Sequence, residues 1–361
     1  MDRIYLGSHP VKRTLATAGL SALLSVSVLT ACSPGSNATA DNEFGDNAAG
    51  AVSIVGFAVP KAAHDAVQAA WEKTADGQGV RFESSYGASG DQSRAVAEGK
   101  KADYVHFSLE GDVTRLVKAG LVDEDWNSGP TRGIISSSVV VLVVRDGNPK
   151  NIRGWDDIVE PGVGIVTANP GSSGAARWNI LAAWAHAIEG GGGDTAGEAF
   201  LTRFFENAVT LAGSGREATT AFQNGVGDVL VSYENEAIFA RQSGEAFDYL
   251  IPDTTLRIDN PAAVTKGANP AAAEYHEFIL SEEGQRIFAS KGFRPVIDVE
   301  AVDVEGANDS QNPFPTDANI VTIADLGGWS EINTRFFATK DKDGADGLIT
   351  RIQNASGKGT T

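Results

Sequence analysis

The sequence predicts an α/β protein built on mostly parallel sheets, and three observations lead there. Short β-branched runs alternate with amphipathic helical patterns through most of the chain. Roughly 310 residues remain after an N-terminal leader, enough for two domains. Glycine and serine stand where strands give way to helices, in Tyr86-Gly87-Ala88-Ser89-Gly90-Asp91-Gln92 and again in Asn169-Pro170-Gly171-Ser172-Ser173-Gly174-Ala175-Ala176-Arg177-Trp178-Asn179. Such junctions offer unpaired backbone N–H groups to an anion without using a cation.

In chain order, the β-branched run 52–57 predicts a first strand and the amphipathic stretch 61–74 the helix after it. The same alternation gives strand 80–84 with helix 91–98, then strand 104–107 with helix 112–119. The valine-rich run 139–144 and the short run 165–167 read as strands, followed by helices over 175–188, 198–206 and 217–223. Strands at 228–232 and 262–264, then helices at 270–280 and 282–289, complete the pattern. No internal repeat is visible.

The first residues read as an address. Lys12 and Arg13 precede an apolar run over 15–29 that ends in Leu29-Thr30-Ala31-Cys32, the form of a bacterial lipoprotein signal (1–31) cut before Cys32. Cys32 is the only cysteine and is expected to carry the lipid anchor, which leaves no thiol for an internal disulfide. Residues 32–50, rich in Ser, Asn, Ala, Asp and Gly, read as a flexible tether.

Charge excludes one class of partner and sharpens the question about another. With 47 acidic residues against 29 basic ones, the chain has a formal net charge of −18, which argues against nucleic-acid binding. Loss of the leader, which holds Arg3, Lys12 and Arg13 against Asp2, leaves the rest still more acidic. A dianion must therefore be attracted by local dipoles rather than by the overall field.

The residues that meet it can be argued in turn. Ser89 is expected to cap the helix that begins near Asp91, where its amide and that of its neighbour Gly90 point outward. Ser173 offers a hydroxyl, and the amides of Gly174 and Ala175 open the next helix. Gly213-Ser214-Gly215-Arg216-Glu217 precedes a third helix. Glu234 and Glu236 read as capping and solvated charges rather than an acid/base pair.

Enzyme chemistry finds little support. Gly171-Ser172-Ser173-Gly174-Ala175 lacks the terminal glycine of a nucleophile elbow, and Gly87-Ala88-Ser89-Gly90-Asp91 lacks the ending of a phosphate-binding P-loop. His64, His106, His186 and His276 are scattered, so neither a triad nor a metal site is visible, and no cofactor is expected.

The quoted stretches, with Asp228-Val229-Leu230-Val231, Ser232-Tyr233-Glu234-Asn235-Glu236-Ala237 and Gly147-Asn148-Pro149-Lys150-Asn151-Ile152-Arg153-Gly154-Trp155-Asp156-Asp157, resemble the sulfate-binding proteins that feed ABC uptake transporters. The resemblance runs from about residue 52 to about residue 337. It implies a two-lobed, type II periplasmic-binding-protein-like fold with a hinge and an interlobe cleft. Lobe 1 would comprise 51–137 and 261–345, lobe 2 would be inserted as 138–260, and 346–361 would form a tail. The crossings would fall near 135–139 and 258–261.

It also implies ligand contacts from Ser89, Ser173, Gly174, Ala175, Gly215 and Tyr233, with Gly90 and Arg216 in support. Three positions depart from the family. Ala175 usually is a second glycine, Tyr233 usually is Trp, and Ala58 stands where the first loop would have Asp. A phenol both donates and accepts hydrogen bonds, whereas an indole only donates, so Tyr233 widens the range of acceptable oxyanions.

The implied function is a lipid-anchored, monomeric receptor on the outer face of the cell membrane. It would capture sulfate, or thiosulfate, and deliver it to an ABC permease. A molybdate- or tungstate-binding protein is the alternative in the same class, and a secreted sulfate or phosphate ester hydrolase the alternative from another.

Overall fold

The computed structural model describes residues 50–340 and 344–358. The signal, Cys32 and nearly all of the expected tether lie outside the described residues. The first half of the chain lays down β1 (Ala51–Phe57), α1 (Lys61–Trp71), β2 (Arg81–Gly87), α2 (Ser89–Ala97), β3 (Tyr104–His106) and α3 (Glu110–Lys118). A long strand, β4 (Ile134–Arg145), leads into α4 (Trp155–Ile158), β5 (Ile165–Ala168), α5 (Gly174–Glu189), α6 (Gly193–Asn207), β6 (Ala208–Ala212), α7 (Gly215–Gln223), β7 (Val229–Tyr233) and α8 (Glu234–Gln242). The chain continues through β8 (Phe247–Leu250), a second long strand β9 (Thr254–Val264), α9 (Ala271–Leu280) and α10 (Glu282–Ser290). It closes with β10 (Asn319–Val321), α11 (Gly328–Ile332), a π-helical turn (Asn333–Phe337) and α12 (Leu348–Ala355).

The strands run in the order β2-β1-β3-β9-β4-β7-β5-β6, with β10 beside β9 and β8 beside β4. Each half repeats one plan. In the first, β2, β1 and β3 are parallel and the end of β9 closes the set antiparallel, Tyr104 opposite Val264. In the second, β6, β5 and β7 are parallel and the end of β4 closes the set antiparallel, Val140 opposite Tyr233. The plan recurs without a sequence repeat, because it requires only strand-helix alternation and not particular side chains.

The two long strands join the halves. Ile134 to Val139 pair antiparallel with Pro261 to Arg257, so the chain passes between the two lobes of this type II periplasmic-binding-protein fold on hydrogen-bonded strands. Val139 to Val144 are buried throughout, which explains an uninterrupted apolar run where a one-sided strand would alternate.

The chain after α10 departs from the expected return to the first lobe. Arg294 pairs with Glu234 at the start of α8, Asn308 bonds to Tyr249 on β8, and β10 pairs with the first residues of β9. Trp329 meets the edge of Trp178 at 4.9 Å and Phe336 that of Trp184 at 4.8 Å, both on α5. This C-terminal covering is why α5 is buried all round from Gly174 to Ala185, on its outer face as well as against the sheet, apart from half-buried Arg177. Short β6, β8 and β10, and helices α8, α11 and α12, were not expected from local pattern. Each is short, and its type is set by what it packs against.

Candidate functional site

Parallel strands bring their carboxyl ends to one edge, and the helices that follow begin there. Hence α2, α5 and α7 start close together. They enclose a narrow, largely buried gap with no room for a water-sized sphere, lined by Phe57, Ala58, Val59, Gly87, Ala88, Ser89, Ser108, Ser173, Ala175, Ser214 and Gly215. Among the described residues, neither a cationic nor an acidic side chain lines it.

Four expected residues meet at this space, each with a free helix-terminal group. Ser89 is the first residue of α2, Gly215 the first of α7 and Ala175 the second of α5, positions whose amides have no acceptor within their own helix. Ser173 is the N-cap of α5; its amide donates to the Asn169 carbonyl at 2.9 Å, and its hydroxyl has no protein partner among the described residues. Ser89 is not the cap expected of it, since Ala88 holds that position. Its hydroxyl is already committed: it donates to Asp112 Oδ2 at 2.6 Å and accepts from the Ser108 amide at 2.9 Å. Only the amide of Ser89 remains for a ligand. The amide of Ala58 is likewise taken, by the Gly87 carbonyl at 2.9 Å.

Gly174 fits a different need from a φ requirement. A β-carbon there would lie 2.5 Å from Ser108 Oγ and 2.6 Å from Ser108 Cβ, so glycine permits the two lobes to touch. Gly215 is milder, with Ala175 Cβ at 3.1 Å and Val59 Cγ2 at 3.3 Å from the corresponding position.

Ser108 is the residue that sequence reasoning missed. It follows β3, accepts Trp178 Nε1–H on both its carbonyl (3.0 Å) and its hydroxyl (3.2 Å), and shares a 2.8 Å hydrogen bond with the Tyr233 hydroxyl. Asn260 on β9 donates to its carbonyl at 3.2 Å. The signal was available: β3 and α3 form another strand-to-helix junction, of the same kind as the two singled out. Tyr233 does not line the space; its hydroxyl is spent on Ser108, one residue away from it. Burial pushes the phenol far above its ordinary pKa, against the lowering by hydrogen bonds with Ser108 and Asn260.

Arg216 stands at one remove from the space. Its guanidinium makes a bidentate pair with Glu236, at 2.6 Å and 3.0 Å, and reaches across to the Val59 carbonyl at 3.1 Å. Thr219 adds a 2.8 Å bond to the same carboxylate. Glu234 and Glu236 are therefore not solvated caps. Both are fully buried and each is matched by an arginine, Arg294 and Arg216 respectively. Burial raises the pKa of Glu234, while Arg294 opposes the shift. Gly90 donates its amide to the Ser172 carbonyl at 3.1 Å, another bond between the lobes.

The histidines are less scattered than the sequence suggests. His64 Nε2 lies 2.9 Å from His106 Nδ1, its Nδ1 lies 2.9 Å from the Tyr275 hydroxyl, and His106 Nε2 lies 3.3 Å from Ser136 Oγ on β4. Burial lowers His64 to a pKa of about 3 and His106 well below its usual value. Among the described residues, no group of three or more His, Cys, Asp or Glu side chains is placed to hold a metal ion.

Two lobes joined by paired strands, closing helix N-termini around one polar space, define a solute-binding protein. The model of the bacterial extracellular solute-binding proteins matches residues 52–294. The chain belongs to that family, among its sulfate-binding proteins.

It is 40% identical to the sulfate-binding protein of Synechococcus elongatus over 93% of this chain and 95% of that one. It is 34% identical to the sulfate-binding protein of Escherichia coli, over 76% of this chain and 84% of that one. A thiosulfate-binding protein of Pseudomonas aeruginosa is 35% identical over 64% and 72% of the two chains. Among solved structures, the sulfate-binding protein SubI from Mycobacterium tuberculosis superposes with a TM-score of 0.73 at 45% identity, covering 80% of this chain and 99% of that one.

Proposed function

We propose that this protein is the extracytoplasmic receptor of an ABC importer and captures sulfate, with thiosulfate as a second ligand, between its lobes. The donor set carries the reading: helix-terminal amides of Ser89, Ala175 and Gly215 and the Ser173 hydroxyl converge on a space that, among the described residues, no charged side chain lines. A buried dianion is tolerated only when its oxygens are met by donors. Sulfate accepts at every oxygen, whereas a protonated phosphate would leave its hydroxyl unpaired at a cost of about 1–3 kcal/mol. Relatives named for sulfate and thiosulfate binding support the same ligands.

In this reading the protein is a binder, not an enzyme, and acts as a monomer. Lobe 1 comprises residues 51–137 and 261–292, and lobe 2 comprises 138–260 together with the C-terminal covering. Closure completes the donor ring and forms the surface that the permease recognises. Cys32 carries the lipid that holds the body at the outer face of the membrane.

Thermal melting against a panel of sodium salts tests the function. Sulfate at about a thousand times its dissociation constant should stabilise the fold by roughly 4 kcal/mol, and chloride should not. Ser173→Ala should then weaken sulfate binding by about 1.5–3 kcal/mol in calorimetric titration, with little change in the unliganded melting point, because the lost hydroxyl has no protein partner. A wild-type protein that no oxyanion stabilises would overturn the reading.

A further inference from the structure

Beside the inner space, and sharing Ser173 with it, lies a groove of about 370 Å³. Its walls come from both lobes and from the C-terminal covering, with Trp329, Asn333 and Lys340 along one side. Gly90 and Ser172 line the groove, while their neighbours Ser89 and Ser173 line the inner space. The 3.1 Å bond from the Gly90 amide to the Ser172 carbonyl therefore lies between the two.

The chemistry of the groove is opposite to that of the inner space. Among the described residues, Arg94, Arg115, Arg177 and Lys340 line it, against one carboxylate, Asp112. Arg94 pairs with Asp91, and Arg115 with Asp112 at 2.9 Å. Arg177 has no such compensation. It donates to the Pro170 carbonyl at 3.3 Å and Asn333 Oδ1 at 2.9 Å, and its guanidinium lies 4.7 Å from the centre of the Phe337 ring. Among the described residues its second terminal nitrogen has no acceptor and it forms no ion pair. Burial depresses its pKa, with Asp112 opposing and Arg115 and Arg94 adding to the effect, as expected of a cation short of negative charge.

We propose that this groove is an outer anion site, in which Arg177, Lys340 and Arg94 hold a doubly charged tetrahedral oxyanion before it passes to the uncharged donors within. The inference rests on the reading of the inner space as an oxyanion site. A chain of net charge −18 repels a dianion at long range, and a cationic groove at the cleft reverses that field over about one Debye length, roughly 8–10 Å at ordinary salt. The outer site supplies capture by charge, and the inner site supplies recognition by shape and hydrogen bonding. Opening of the Gly90–Ser172 bond, which joins the lobes, connects them.

The test is stopped-flow tryptophan fluorescence of sulfate binding to the wild type, to Arg94→Gln/Lys340→Gln and to Lys73→Gln/Arg81→Gln. The last pair removes the same charge from exposed positions on the first lobe, away from the groove. Rates are compared at about 0.01 and about 1 M salt, where the Debye length falls from about 30 to about 3 Å.

At low salt, the groove variant is expected to associate about tenfold more slowly than the wild type, with dissociation unchanged within about twofold and a flatter salt dependence. The distant variant should associate no more slowly than the wild type to within about twofold. Equal association rates in the groove variant and the wild type, or an equal loss in the two variants, would overturn the outer site while leaving the inner one standing. A wild type that binds no oxyanion would instead overturn the functional reading, and the outer site with it.

Discussion

Tyr233 lies outside the inner space but is tied to it through Ser108. Its hydroxyl and that of Ser108 share a hydrogen bond that joins β7 in one lobe to the end of β3 in the other. Tyr233→Phe keeps the ring but removes this bond, so the unliganded fold should persist while sulfate affinity falls by about 0.5–1.5 kcal/mol, the usual net worth of a neutral hydrogen bond. Titration calorimetry checks it, and unchanged affinity would mean that the Ser108–Tyr233 bond plays no part in binding. Gly174 makes a sharper case. Because a β-carbon would meet Ser108 at 2.5 Å, Gly174→Ala should block closure and weaken sulfate binding at least tenfold (about 1.4 kcal/mol) while each lobe stays folded. Small-angle scattering with and without sulfate would show whether the variant still closes; a variant that binds as tightly as wild type would remove the contact from the mechanism.

At the scale of elements, the strand pair β4–β9 is both a covalent crossing and a hydrogen-bonded one, and polar groups anchor it from the first lobe. His64 on α1 reaches His106 at the end of β3, and His106 reaches Ser136 on β4, beside Asn260 on β9. The shared hydrogen bond requires at least one neutral ring, since two charged rings cannot share it, and burial favours the neutral form of both. The folded pKa of His64, near 3, lies below its ordinary 6.5, so the unfolded state binds the proton more readily. Stability from this site is therefore complete above pH 6.5 and lost as pH falls toward 3, with a slope of about 1.4 kcal/mol per pH unit per buried histidine. Urea melts between pH 7 and pH 5 should show the decline, and the ring resonances of His64 and His106 should not titrate while the protein remains folded. Titration of either ring near pH 6.5 in the native state would refute the buried neutral network.

At the scale of the whole molecule, the proposed mode lets a strongly acidic body hold an anion by oriented amides, which contribute partial charges without adding net charge. Recognition is then insensitive to the overall field, and the cationic groove serves approach alone. The address at the N-terminus belongs to this scale too. On the proposed lipid anchor, Cys32→Ser should release the protein into the medium or leave an unprocessed precursor. Fractionation with immunoblotting decides: a variant cut at the same place that still sediments with membranes would rule out the lipid anchor.

Local pattern was enough to read the α/β alternation, most strands and helices, and the junctions at Ser89, Ser173 and Gly215, because a helix carries its unpaired amides wherever it begins. The groups that face the inner space were legible for that reason: apart from the Ser173 hydroxyl they are backbone amides, fixed by where strands end. Long-range packing decided the rest. Ser108 acquires its role only when β3 is brought against α5 and β7, and Glu234 and Glu236 become buried ion pairs only because Arg294 and Arg216 arrive from elsewhere in the chain. The same holds for the C-terminal covering, whose weak and short patterns gain their structure from the face of α5 that they bury. Hydrophobic periodicity records which face of an element is covered, not by what, so only the tertiary structure could place the covering on the second lobe and the cations of the groove beside the inner space.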